Sequence, residues 1–217
     1  MAISVGSVST STTFGASNAS SIVAAPSGIT AGDLILVIGF INQTTGVTGP
    51  SGFTALSSAT PYVGSTGRET YFWWKRATGP ESGSYTISFT SKTYPQAATA
   101  IRFVGCPTTG GESFLDTRGV GEQQTSSTTS ASTTVTTSVG STILLRALNH
   151  SLDSNDTAPS GFTEFYQGRQ GAVSYSTDLK AAGTHTIPGS TLTVSNNSSV
   201  WVGAFKSDPS VFFPFTA

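Results

Sequence analysis

Short apolar runs rich in β-branched and aromatic residues recur along the whole chain, separated by clusters of Gly, Pro, Ser, Thr and Asn, while helical periodicity is nearly absent. That punctuation predicts strands and turns throughout. In the first half the pattern predicts strands over 12–16, 20–24, 33–41, 54–57, 69–76, 84–90 and 97–104. The run Leu34-Ile35-Leu36-Val37-Ile38 is apolar at every position. It predicts a strand covered on both faces, or one lying under a loop or partner, and makes Leu34 and Leu36 candidate core residues.

The second half repeats the first. Pro50-Ser51-Gly52-Phe53-Thr54 returns letter for letter as Pro159-Ser160-Gly161-Phe162-Thr163. Gly32-Asp33-Leu34-Ile35-Leu36 finds an echo in Gly140-Ser141-Thr142-Ile143-Leu144, and Tyr85-Thr86-Ile87-Ser88 in Leu192-Thr193-Val194-Ser195. Ile101-Arg102-Phe103-Val104 lies where Trp201-Val202-Gly203-Ala204-Phe205 lies in the second half. Two copies of a strand set, about 11–105 and 123–206, are too short an array for a solenoid and suit two halves completing one sandwich. Two tandem sandwiches joined near 121–130 are the alternative. The repeat adds Phe53, Phe162, Ile143 and Leu145 to the candidate core. The Ser/Thr-rich stretch 123–137 reads as a linker by composition. Its place before Gly140, matching 11–25 before Gly32, and the β-prone run 133–137 assign it instead to an exposed strand pair.

With 217 residues the chain is long enough for one domain, 1–217, to bury a sizeable core. Charged residues make up only 10% of it, and Ser and Thr supply the polarity instead. A net charge of -1 offers no electrostatic footprint for nucleic acid. Cys106 is the only cysteine, which excludes an internal disulfide and a multi-thiolate metal site; a small buried hydrophobe is the expected role. The first residues lack the charged and apolar regions of a signal peptide, and no stretch approaches a membrane span. Synthesis in the cytoplasm of a host, without membrane association, is the expectation.

The search for chemistry yields little. Only His150 and His185 could serve as the base of a nucleophilic triad; the pattern places the first just after a strand and the second in a polar turn, with no nucleophile elbow. No pair of carboxylates falls in an apolar setting as glycoside hydrolysis requires. Asp153-Ser154-Asn155-Asp156 offers oxygen ligands for calcium, but without EF-hand spacing the ordinary reading is a turn. Nucleotide-binding fingerprints are missing. Tyr71-Phe72-Trp73-Trp74 is a candidate sugar-stacking platform, although alternation sends Trp73 and Trp74 to opposite faces and at least one into the core. The expectation is therefore a chain that is not an enzyme and carries no cofactor.

The apolar tail, 207–217, is more telling. Val211, Phe212, Phe213 and Phe215 follow the turn Lys206-Ser207-Asp208-Pro209 and are candidate contacts to a partner or oligomer. Leaving three phenylalanines in water forfeits about 1.5–3 kcal/mol each relative to full burial.

Gly32-Asp33-Leu34-Ile35-Leu36, Pro50-Ser51-Gly52-Phe53-Thr54, Trp74-Lys75-Arg76-Ala77, Gly83-Ser84-Tyr85-Thr86-Ile87 and Ala97-Ala98-Thr99-Ala100-Ile101-Arg102-Phe103-Val104-Gly105 together resemble jelly-roll structural proteins of tailed bacteriophages, among them capsid decoration (cement) proteins and minor virion proteins. The resemblance spans about 32–205. It implies an all-β, jelly-roll-like β-sandwich built from two pseudo-repeated strand sets. It also implies a virion location on the capsid surface, the major capsid protein or another virion protein as partner, and no catalytic residue. Local threefold seats on a capsid favour a homo-oligomer, a trimer first. Phe53 stands where many relatives have Trp, and the phenylalanine tail has no counterpart. A receptor- or glycan-binding module of the adhesin or tail-fibre kind is the alternative, since a fold alone does not determine function.

Overall fold

A computed structural model describes residues 2–11, 20–42, 44–57, 62–64, 68–92, 96–150, 155–168 and 170–209. The strand expected over 12–16 and the tail residues Val211, Phe212, Phe213 and Phe215 lie outside these residues. The described chain is all-β, as the punctuation predicts. The first repeat contains β1 (Ser4–Thr10), β2 (Ser20–Ala24), β3 (Leu34–Asn42), β4 (Thr44–Thr45), β5 (Thr54–Ala55), β6 (Tyr62–Gly64), β7 (Arg68–Arg76), β8 (Ser84–Ser88), β9 (Ser91–Lys92) and β10 (Ala97–Val104). The second contains β11 (Leu115–Thr129), β12 (Thr133–Thr137), β13 (Thr142–His150), β14 (Asp156–Thr157), β15 (Phe162–Gly168), β16 (Gly171–Ser176), β17 (Gly183–Ile187) and β18 (Thr191–Lys206).

Each repeat makes its own large sheet, with spatial order β1-β10-β3-β7-β5 in the first and β11-β18-β13-β16-β15 in the second. Each also makes a two-stranded sheet, β2-β8 and β12-β17, and the first has a further short pair, β4-β9. All these pairings are antiparallel, and they nest: Ser4 pairs Val104, Ser20 pairs Ser88 and Leu34 pairs Arg76. Each advance along one arm is thus matched by a nearly equal retreat along the other. The second repeat keeps the same step through Leu115–Phe205, Thr133–Ile187 and Leu145–Tyr175. Each repeat is therefore one long antiparallel ribbon, rolled so that its outer arm β10 or β18 also pairs with β3 or β13.

The core follows from strand alternation. Leu34, Leu36, Ile38 and Phe40 of β3 face Ile143, Leu145 and Ala147 of β13, with Phe72, Phe103, Trp201 and Phe205, in one cluster shared by both large sheets. Ile35, Val37 and Ile41 point the other way, onto Val23 of β2 and Ile87 of β8. Leu144 and Leu148 likewise meet Val135 of β12 and Ile187 of β17. The two apolar faces of the run 34–38 are explained by these two cores.

Phe53 and Phe162 are half-buried at the rims of the two outer cores, not inside the shared one. Their turns match closely: Phe53 N–H donates to Pro50 O at 3.1 Å and Phe162 N–H to Pro159 O at 3.0 Å, with Gly52 and Gly161 both at φ 79°. A left-handed residue at that point needs glycine, which accounts for the letter-for-letter repeat.

The echo around Gly32 requires a correction of one residue. Leu34 pairs Phe103 and Ile143 pairs Phe205, so Leu34 corresponds to Ile143, not to Thr142. The backbone agrees, because Gly32 and Ser141 both have positive φ, 90° and 58°. A one-residue slip in a strand exchanges its two faces, and this register brings Ile143 and Leu145 to the shared core. In the stretch 123–137 the β-prone run 133–137 does form one member of an exposed pair, β12 with β17, but 123–129 belongs to another strand. The stretch forms the end of β11, a corner, and all of β12, and 121–129 lies inside β11 where the tandem alternative would place a linker. β1 was not anticipated because a register shift between Val5 and Val8 breaks its alternation.

Candidate functional site

The most unusual chemistry lies between the two layers of the second repeat. Val202, Arg146, Ser174 and Glu164 form a row across β18, β13, β16 and β15. The equivalent row of the first repeat is Ala100, Val37, Trp73 and Ala55, all apolar. Arg146 thus lies one strand from Ser174, where the first repeat has the indole of Trp73. The exchange converts a hydrophobic layer into a polar one while keeping it filled.

Arg146 and Asp156 are both fully buried, with Nη1 of Arg146 donating to Oδ2 of Asp156 at 2.9 Å. Nη2 of Arg146 donates to Ser130 Oγ at 3.1 Å and also to Ser190 Oγ, and the Ser190 hydroxyl donates to Oδ1 of Asp156. The Ser190 N–H donates to Ser130 Oγ at 2.9 Å. The Asp156 carbonyl accepts from Gln167 Nε2. The guanidinium thereby ties β13 to β14 and to the two corners that flank β12 and β17, and Gln167 links β15 to β14 through the Asp156 carbonyl. Desolvating both charges offsets much of the Coulomb attraction, so the network contributes location more than net stability. Arg146 Nε, Ser174 Oγ, Thr133 Oγ1 and Glu164 Oε2 are buried polar atoms without a protein hydrogen-bond partner in the same layer. Burial, and then the Asp156 carboxylate, push the Glu164 carboxyl up to about 7 against the opposing pull of Arg146.

The residues singled out in the sequence occupy separate places. His150 ends β13 fully buried. His185 lies within β17 rather than in a turn, half-buried opposite Val135, with Nε2 2.9 Å from Ala181 O. Trp73 is buried, stacked on Tyr71 at 5.4 Å, and Trp74 packs edge-on to Phe114 at 5.0 Å. Trp73 therefore lies in the core, while Trp74 is half-buried at the edge of the shared one. Cys106 is buried, and burial pushes its thiol up to about 12. Of 153–156, the described Asp156 spends its carboxylate on Arg146, and no cluster of three or more metal-ligating side chains exists among the described residues. No helix among them is long and apolar enough to cross a membrane. Arg146 was missed in the sequence, although an arginine inside Ile143-Leu144-Leu145-Arg146-Ala147-Leu148 was the available signal.

The outward faces of the β2–β8 and β12–β17 sheets carry no charge. In β12 and β17 the exposed residues are Thr134, Thr136, Thr184 and Thr186, paired as Thr134–Thr186 and Thr136–Thr184. The hydroxyls of the second pair lie 3.1 Å apart. In β2 and β8 the exposed residues are Ile22, Ala24, Ser84, Thr86 and Ser88. These are two-stranded patches of methyls and hydroxyls, each backed by a packed core.

Comparison with known proteins finds no matching family model, no matching curated protein and no matching solved structure.

Proposed function

We propose that this chain is a structural protein of a bacteriophage virion, a capsid decoration or cement protein that stabilises the head lattice by protein–protein contact. The observation that carries the reading is the uncharged outer face of the β2–β8 and β12–β17 sheets, above all the threonine square of β12 and β17. Docking such a face removes methyl groups from water and exchanges hydroxyl hydrogen bonds without desolvating a charge. The nested pairing of each ribbon is the connectivity expected of a jelly roll and supports the family likeness of the turn and strand motifs. Many weak contacts, repeated over a lattice, brace it by summed area. The partner is the major capsid protein, and the chain acts as a homo-oligomer, a trimer on local threefold seats.

Quantitative mass spectrometry of purified virions that carry this chain tests the reading. Copy numbers near those of the major capsid protein support decoration. A few copies per particle move the chain to the tail or a fibre, and absence from the particle overturns the proposal.

A further inference from the structure

Arg146, Ser174 and Glu164 are consecutive members of the polar row of the second repeat. Arg146 stands opposite Ser174 across β13 and β16, and Ser174 opposite Glu164 across β16 and β15. Directly opposed residues of a sheet share one face, with Cβ atoms about 5 Å apart. Each of the three keeps one buried polar atom that no protein group satisfies: Arg146 Nε, Ser174 Oγ and Glu164 Oε2. The rest of the guanidinium is engaged, Nη1 by Asp156 and Nη2 by Ser130 and Ser190. β15 shifts register between Glu164 and Tyr166, the kind of irregularity that re-aims a side chain. Buried donors and acceptors in folded proteins find a partner, in the protein or in ordered water.

We infer that this row binds one internal water molecule, held by Arg146 Nε, Ser174 Oγ and Glu164 Oε2. The three groups select that ligand. The Nε–H only donates, a hydroxyl donates and accepts, and a carboxyl oxygen accepts or, when protonated, donates; water serves each of them at once. Three partners is also the usual number for a buried water. A small anion would face the carboxyl groups of Asp156 and Glu164, and a cation would face the guanidinium, so the charges admit a neutral ligand. Bound there, the water extends the Arg146 network across β16 to the edge strand β15. The first repeat has no counterpart, since Ala100, Val37, Trp73 and Ala55 occupy the equivalent row. The site lies inside one chain, so the inference does not depend on the virion reading.

Water-to-protein magnetisation transfer by NMR tests it, on arginine-labelled protein with the Arg146 Nε–H signal assigned through its own side-chain couplings. The expected result is a cross-peak from that proton to the water frequency, with the sign of a long-lived contact, in the wild type and in Ser174→Ala. Its absence from the wild type overturns the inference. A cross-peak that disappears in Ser174→Ala also overturns it, because the transfer then ran through the exchanging Ser174 hydroxyl. A high-resolution crystal structure of the wild type is the second measurement and needs no variant. Density for a water about 2.7–3.2 Å from Arg146 Nε, Ser174 Oγ and Glu164 Oε2 supports the site. A row closed by direct hydrogen bonds, or left dry, overturns it.

Discussion

Phe103 and Phe205 stack face to face, with ring centroids 4.6 Å apart and planes 7° from parallel, and they are the same position of the two repeats. Phe103 stands opposite Leu34 on β3, and Phe205 opposite Ile143 on β13. The repeats are joined here by a pair of equivalent residues. Replacing either phenylalanine by alanine should cost about 3–5 kcal/mol, because the partner ring cannot close the cavity. A double-mutant cycle from urea unfolding should show a coupling of about 0.5–1.5 kcal/mol. Additive losses would mean that the rings merely share a core.

Arg146→Met leaves the Asp156 carboxylate buried without its cation and should destabilise the protein by about 3–5 kcal/mol. Combining it with Asp156→Leu should restore most of that loss, since an apolar row already fills this level of the first repeat. Chemical denaturation of the single and double variants measures both.

Glu164 makes stability depend on pH. Its folded value of about 7 exceeds the unfolded value of 4.5, so the native state holds the proton more tightly. The resulting stabilisation is fully present below about pH 4.5 and is lost as pH rises through about 7. Urea midpoints between pH 4 and 8 should therefore fall for the wild type relative to Glu164→Gln across that window. A constant difference between the two would show that the carboxyl does not titrate there.

Ser141 holds a left-handed backbone, φ 58°, at the position where the first repeat has Gly32. A side chain in that region costs about 1–2 kcal/mol. Ser141→Gly should raise the thermal midpoint, and Gly32→Ser should lower it. The hydrogen bond from Ser207 survives the first exchange because it uses the Ser141 carbonyl.

The all-β class, the two copies and most strands of the first repeat were legible because strand periodicity and turn chemistry act over a few residues. The turn at Gly52 and Gly161 is the clearest case, since a positive φ demands the same residue wherever it occurs. Where that demand was not met by glycine, at Ser141, the repeat was read one residue out of register. Long-range contact decided what remained. Gly121 opens the segment where the tandem alternative would place its joint, yet a Cβ on Gly119 or Gly121 would lie 2.5 Å from Thr134 O or 2.7 Å from Thr133 Oγ1, respectively. They are glycines because β12 crosses β11 there. Arg146 likewise looks like an interruption of an apolar strand, and only the folding of β14 and two distant serine corners onto it makes its burial possible. The sequence by itself determined which segments are strands and where they turn, because those preferences are local. The tertiary structure decided which faces meet, which charge is buried and which surfaces are left without charge, because these depend on residues brought together only when each ribbon rolls up.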